Sequence, residues 1–189
     1  SDRVKKKSYG LGRFIYTEWL QPIFHYYMTL RKNEAVFEVV TPIVISVVSV
    51  SLYSYRGIIY KALSVLAELL PTSISVLIGF TVMMITLLLT SSGENIERIK
   101  GINTERLINN KPVTLYQGLH IQFSHTLFSE VILLLIVFLY LFLDGLNLIK
   151  RIDFLFLGVE VYLILNILLS VMRGMANIYF SFYGDSLKR

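Results

Sequence analysis

Asp153–Asp185 reads DFLFLGVEVYLILNILLSVMRGMANIYFSFYGD, and this stretch decides the fold. It is long enough to cross a bilayer, because about 20 apolar helical residues suffice. Its polar members follow a pattern: Tyr162, Asn166, Ser170, Arg173 and Asn177 succeed one another at steps of four or three residues. Such steps put side chains on one helical face. An arginine near a bilayer centre costs about 2.5–3.5 kcal/mol on insertion scales. The stripe must therefore face other helices, another subunit or water rather than lipid.

Composition extends this reading to the whole chain. Of 189 residues, 54% are hydrophobic and 16% charged, and the charges are segregated from the apolar runs. That pattern predicts an all-α integral membrane protein with four transmembrane helices. There is no cysteine, which excludes disulfides, thiol catalysis and cysteine-bound zinc. The net charge of +5 does not point to nucleic acid. Most Lys and Arg residues sit at the chain ends and in one loop, where they set orientation and meet anionic headgroups. The bilayer is the first partner expected, and no direct nucleic-acid contact is.

Residues 1–34 form a basic, aromatic segment too polar to span, running from Lys5, Lys6 and Lys7 through Arg13, Trp19, Tyr26 and Tyr27. Two readings fit and do not exclude each other. The segment lies in the cytoplasmic headgroup layer, helical before Pro22 and interrupted there, or it packs on the cytoplasmic ends of the spans. A third use of the lysine run is a surface for an acidic partner. No cleavable signal is visible, and the first span can itself serve as an uncleaved insertion signal.

The remainder, residues 35–189, is read as the transmembrane domain. Span one covers Ala35–Tyr55, with Glu38, Pro42, Ser49 and Arg56 on one face. Arg56–Pro71 reads as a connection carrying a short amphipathic helix or an extension of a neighbouring span. Span two follows as Thr72–Ser92, where Ser75, Gly79, Thr86 and Thr90 share a face. Small residues so spaced let backbones approach, either at an oligomer seam or inside the protomer. Residues 93–126 form a cytoplasmic hairpin of charged helices, with a turn at Asn109–Pro112 and a second helix running on into span three. Span three, Leu127–Leu146, is the most apolar and is expected to face lipid over much of its surface. Asp153 can cap span four.

Charge counting orients this arrangement. With both termini cytoplasmic, only Arg56, Lys61, Lys150 and Arg151 of the 18 Lys and Arg fall outside. The positive-inside rule favours that topology, and it requires an even number of spans. The expected location is the inner (plasma) membrane.

Catalytic chemistry finds little support. His120 and His125 are five residues apart, which does not align two ligands on one helix face. No phosphate loop, HExxH or Gly-x-Ser-x-Gly motif is present. Neither an enzyme, a metal nor a cofactor is expected. The stripe on span four carries the functional weight in one of two ways. In an assembly of about four copies it would line a polar pore whose arginine ring disfavours cations. If Arg173 instead pairs with Glu38, which lies toward the same side, it ties the protomer together. The second reading is preferred.

The layout resembles the small membrane subunit of Kiwa-type two-protein anti-phage defence systems. What carries the resemblance is the size, the spans such as Val36–Tyr55 and Thr72–Ser92, the charged segment Glu94–Lys111 and the lack of a catalytic motif. It covers the whole chain as architecture and transfers no site residue. It implies an oligomeric membrane sensor that detects disturbance at the envelope and docks a soluble cytoplasmic effector. On this reading the helices associate through Ser75, Gly79, Thr86 and Thr90 and through the polar face of span four. The effector docks on Arg98, Lys100 and Arg106. The alternative is an ion channel or membrane-perturbing effector lined by the span-four stripe.

Overall fold

A computed structural model describes residues 20–91, 94–108, 110–146 and 152–183. Helices take up 87% of the described residues. A short helix α1 (Gln21–Thr29) is followed by α2 (Lys32–Ala35), a π turn (Val36–Val40) and α3 (Thr41–Tyr55), the last three continuous as one 24-residue span. Then come α4 (Ile59–Thr90), α5 (Glu94–Gly101), strands β1 (Asn103–Ile108) and β2 (Lys111–Thr114), α6 (Leu115–Gly145) and α7 (Asp153–Tyr183). Four helices are long and apolar enough to span a membrane: Lys32–Tyr55, Ile59–Thr90, and the bulk of α6 and α7. Their outward faces are crowded with exposed Val, Ile, Leu and Phe, as in Val44, Val76, Leu135 and Phe142. A water-facing surface does not tolerate apolar patches on that scale, so the architecture supports a multi-pass membrane protein.

Three local expectations are corrected. Pro22 does not interrupt a helix but opens α1. A first-turn N–H has no intrahelical partner to lose, so proline fits there. The helix expected before Pro22 lies mostly outside the described residues. Span two likewise does not start after Pro71: that residue sits inside the 32-residue α4, so the stretch before it is the extension of a neighbouring span rather than a separate short helix. Leu63, Ala67, Leu70 and Ile74 form one buried face that runs straight through it. That continuous burial holds the helix together across the missing N–H.

The third correction concerns residues 93–126, where a helix pair was expected. Only α5 and the start of α6 are helical, and between them β1 and β2 form an antiparallel hairpin. Ile108 pairs with Lys111 and Leu107 with Pro112. Asn110 takes φ 62°, a left-handed conformation that asparagine tolerates better than most residues. Thr104 and Thr114 disfavour helix and supply local bonds instead. The Thr104 hydroxyl donates to the Val113 carbonyl at 2.6 Å, and Thr114 caps α6 in a reciprocal box with Gln117.

The bundle is built around α6 and α7. The helix α7 packs between α3 and α6, and α6 packs between α7 and α4. The main core joins Leu63, Ala67 and Ile74 of α4 to Leu133, Val137 and Tyr140 of α6 and to Phe156, Leu157 and Ile167 of α7. Span three is thus central to the bundle while much of its surface still faces outward, as expected. One side of α6 is buried, while Leu135, Phe138 and Phe142 point outward. A second cluster of Leu88, Ile96, Ile99, Leu119 and Phe123 fastens α5 to the bundle end that also carries α1 and the hairpin.

Candidate functional site

The site begins with a proline. In α-helical register the Glu38 carbonyl would receive the N–H of residue 42, and residue 42 is proline. The helix widens into a π turn just before it, with the Thr41 N–H reaching back to the Val36 carbonyl. The Glu38 carbonyl is taken up across the interface, where Asn166 Nδ2 of α7 donates to it at 2.7 Å.

The Glu38 side chain, in a residue 2% exposed, lies on the same interface. Its Oε1 is 2.5 Å from Arg173 Nε, and its Oε2 accepts from the Tyr26 hydroxyl of α1. One helical turn earlier, Glu34 joins two arginines. Its Oε2 is 3.0 Å from Arg173 Nη1 and its Oε1 is 2.6 Å from Arg106 Nη2 on β1. The contacts of Arg173 are charge contacts rather than aligned hydrogen bonds. The Tyr26 ring stacks on His125 at 3.6 Å between centroids, and the Arg173 guanidinium lies 5.5 Å from the Tyr26 ring centre.

Two carboxylates and two guanidinium groups thus share one largely dehydrated cluster. Its formal charge is zero, the condition under which burial of ions is tolerable. Outside the spans, burial pushes the Tyr26 hydroxyl well above the usual phenol range, and the Glu38 carboxylate beside it adds to the effect. Burial also lowers Arg106, opposed by the Glu34 carboxylate. Both groups keep their ordinary forms at neutral pH, tyrosine as donor and arginine as cation.

The rest of the span-four stripe continues inward on α6. Ser170 Oγ lies 3.0 Å from Thr126 Oγ1, Gln122 Nε2 donates to the Ser170 carbonyl at 2.6 Å, and Asn177 Nδ2 donates to Gln122 Oε1 at 3.3 Å. Asn166 and Ser170 are each 1% exposed. The structure therefore brings Asn166, Ser170, Arg173 and Asn177 together with Glu38 inside one protomer. Tyr162 stands apart, half-buried in the groove between α3 and α7 near Ile43 and Gly158.

Ser75, Gly79, Thr86 and Thr90 are all exposed, so they do not pack inside the protomer. The hydroxyls of Ser75, Thr86 and Thr90 donate to carbonyls one turn back in α4. Of the three cations read as a docking surface, Arg98 and Lys100 are exposed. Lys100 pairs with Glu97 at 2.8 Å and lies over the Tyr116 ring. Arg106 is corrected: it turns inward to Glu34 with its side chain only 13% exposed, and is not a docking charge.

Sequence reasoning missed Glu34, Tyr26, Gln122, His125 and Thr126. Glu34 lies four residues before Glu38, and Gln122 and Thr126 are also four apart, so each pair repeated at helical spacing. It also missed Glu130, fully buried, whose Oε1 accepts from Thr81 Oγ1 at 2.9 Å. Among the described residues no three His, Asp or Glu side chains come close enough to hold a metal ion. No family model, no curated protein and no solved structure matches the chain.

Proposed function

We propose that this chain is a non-enzymatic membrane sensor and anchor. It resides in the inner membrane with both termini cytoplasmic, assembles as a homo-oligomer, and recruits a soluble cytoplasmic effector to the exposed side of α5 and the β1–β2 hairpin. The observation that carries the reading is the Glu34 carboxylate, which holds Arg173 of α7 with one oxygen and Arg106 of the hairpin with the other. A shift of α7 in the bilayer changes the charge balance around Glu34 and is passed to the segment outside it. Exposed Arg98 and Lys100 present that segment to an acidic surface. The architectural resemblance to Kiwa-type membrane subunits points to anti-phage defence as the setting.

The channel reading requires water along the span-four stripe. Asn166 and Ser170 bond to neighbours in their own chain, so no observation favours it.

The test is in-cell crosslinking of full-length protein, comparing wild type with Arg98→Glu/Lys100→Glu. Loss of one discrete crosslinked species, with the homo-oligomer retained, is the expected result. An unchanged crosslinking pattern removes this docking site.

A further inference from the structure

Beyond that reading, and independent of any effector, we propose that the chain binds the phosphate headgroup of an anionic phospholipid. The site is the cavity between α1, β2 and the first two turns of α6. It measures about 490 Å³ and is lined by His25, Lys111, Gln117 and His120, with Pro112 and Tyr116 in its wall. None of the residues lining it is acidic.

The donors suit a phosphate. Lys111 supplies a full positive charge on an exposed stem. Each imidazole carries at least one N–H whatever its protonation state. Gln117 Oε1 is occupied by the Thr114 N–H, which leaves its amide NH2 as a donor. His120 Nδ1 is buried with no hydrogen-bond partner.

Depth places the cavity beside the headgroup layer. Span three begins near Leu127, and at 1.5 Å per residue His120 lies about 10 Å outside it along the helix. The headgroup layer adds about 5–8 Å to each side of the hydrocarbon core, so His120 stands at its outer edge, within reach of a lipid phosphate. The mixed wall, apolar at Ile121 and Tyr116 and polar at His120 and Lys111, matches the junction of glycerol backbone and phosphate.

The full chain in nanodiscs of mixed phosphatidylglycerol and phosphatidylcholine provides the test, with retained lipid counted by native mass spectrometry. Wild type should retain phosphatidylglycerol about fivefold over phosphatidylcholine, the factor expected for roughly 1 kcal/mol per lysine at a membrane surface. Lys111→Gln/His120→Leu should abolish the preference, and Lys111→Arg should keep it. Lys61→Gln, exposed at the other end of the bundle, should also keep it. If the double variant does not fold, Lys111→Glu alone gives the same readout at an exposed position. Equal retention of the two lipids by wild type overturns the proposal, as does a preference that survives loss of Lys111. Binding of inorganic phosphate without any lipid preference assigns the cavity to a soluble anion and overturns the lipid assignment.

Discussion

Asn166 of α7 donates its side-chain amide to the backbone carbonyl of Glu38, 2.7 Å away in the first span. The bond exists because Pro42 cannot return an N–H to that carbonyl. One polar residue in the fourth span thus compensates for a proline in the first.

Replacing Asn166 by leucine should therefore destabilise the protein by about 1–3 kcal/mol, the cost of an unmatched buried carbonyl. In a Pro42→Ala background the helix regains its own donor, and the same replacement should cost less. Unfolding in detergent micelles for the four variants of this cycle measures the difference. An interaction energy above about 0.5 kcal/mol is expected. Equal costs in both backgrounds would show that Asn166 does not act through the proline.

Among the described ion pairs, Arg173 and Glu38 form the most buried, with side chains 15% and 3% exposed. Arg173→Leu or Glu38→Leu alone leaves an uncompensated charge and should cost about 3–5 kcal/mol. The double replacement keeps Glu34 and Arg106 paired and the cluster neutral. It should therefore be much less damaging than the two single costs added together. The same unfolding assay reads this, and additive losses would mean that the two groups contribute to stability independently.

The sequence makes much of this cluster legible and hides the rest for physical reasons. Arg173 lies in an apolar helix, so its need for a partner is visible from insertion cost alone, and Glu38 is legible as the acid on the same side. Glu34 is not, because it sits among Arg31, Lys32 and Asn33 and reads as an ordinary solvated end. Tyr26 and His125 are ambiguous for a similar reason: aromatic residues near an interface suit lipid headgroups as well as a stacked contact. The hairpin is hidden because Asn103–Ile108 reads as four polar residues followed by two apolar ones, without the alternation that marks a strand, so its charges suit a helical reading. Only the Asn109–Pro112 turn signals it. Pro22 and Pro71 are misleading in opposite ways, since first-turn position excuses one and continuous burial excuses the other.

Glu34 should couple the hairpin to the bundle more strongly than Arg106 does. Glu34→Gln loses two ion pairs and leaves Arg106 and Arg173 facing each other, whereas Arg106→Gln loses one. Hydrogen exchange across residues 103–114 should rise in both variants and more in Glu34→Gln. The exposed Arg31–Glu105 pair, with side chains 55% and 87% exposed, should not restrain the hairpin by itself, because such pairs are worth about 0–1 kcal/mol. Exchange that is unchanged in Glu34→Gln would break the proposed link between span four and the docking segment.

Gly174 and Gly79 should respond oppositely to the same change. A Cβ on Gly174 would lie 2.8 Å from Phe123 Cζ, and Phe123 is fully buried. Helix propensity favours alanine over glycine by about 1 kcal/mol, but overpacking costs about 1–3 kcal/mol. Gly174→Ala should therefore lower the melting temperature, and Phe123→Leu should restore it. A Cβ on Gly79 meets nothing within 4 Å, so Gly79→Ala should leave the protomer as stable or more so. A bulky side chain there tests the exposed face of α4 as the oligomer seam. Gly79→Phe should leave thermal unfolding of the protomer unchanged while blocking the close approach that Ser75, Gly79 and Thr86 permit between copies. Light scattering of the detergent-solubilised protein should then show a smaller assembly. An assembly of unaltered mass would place the seam on another face, since the span-four stripe is already occupied within the chain.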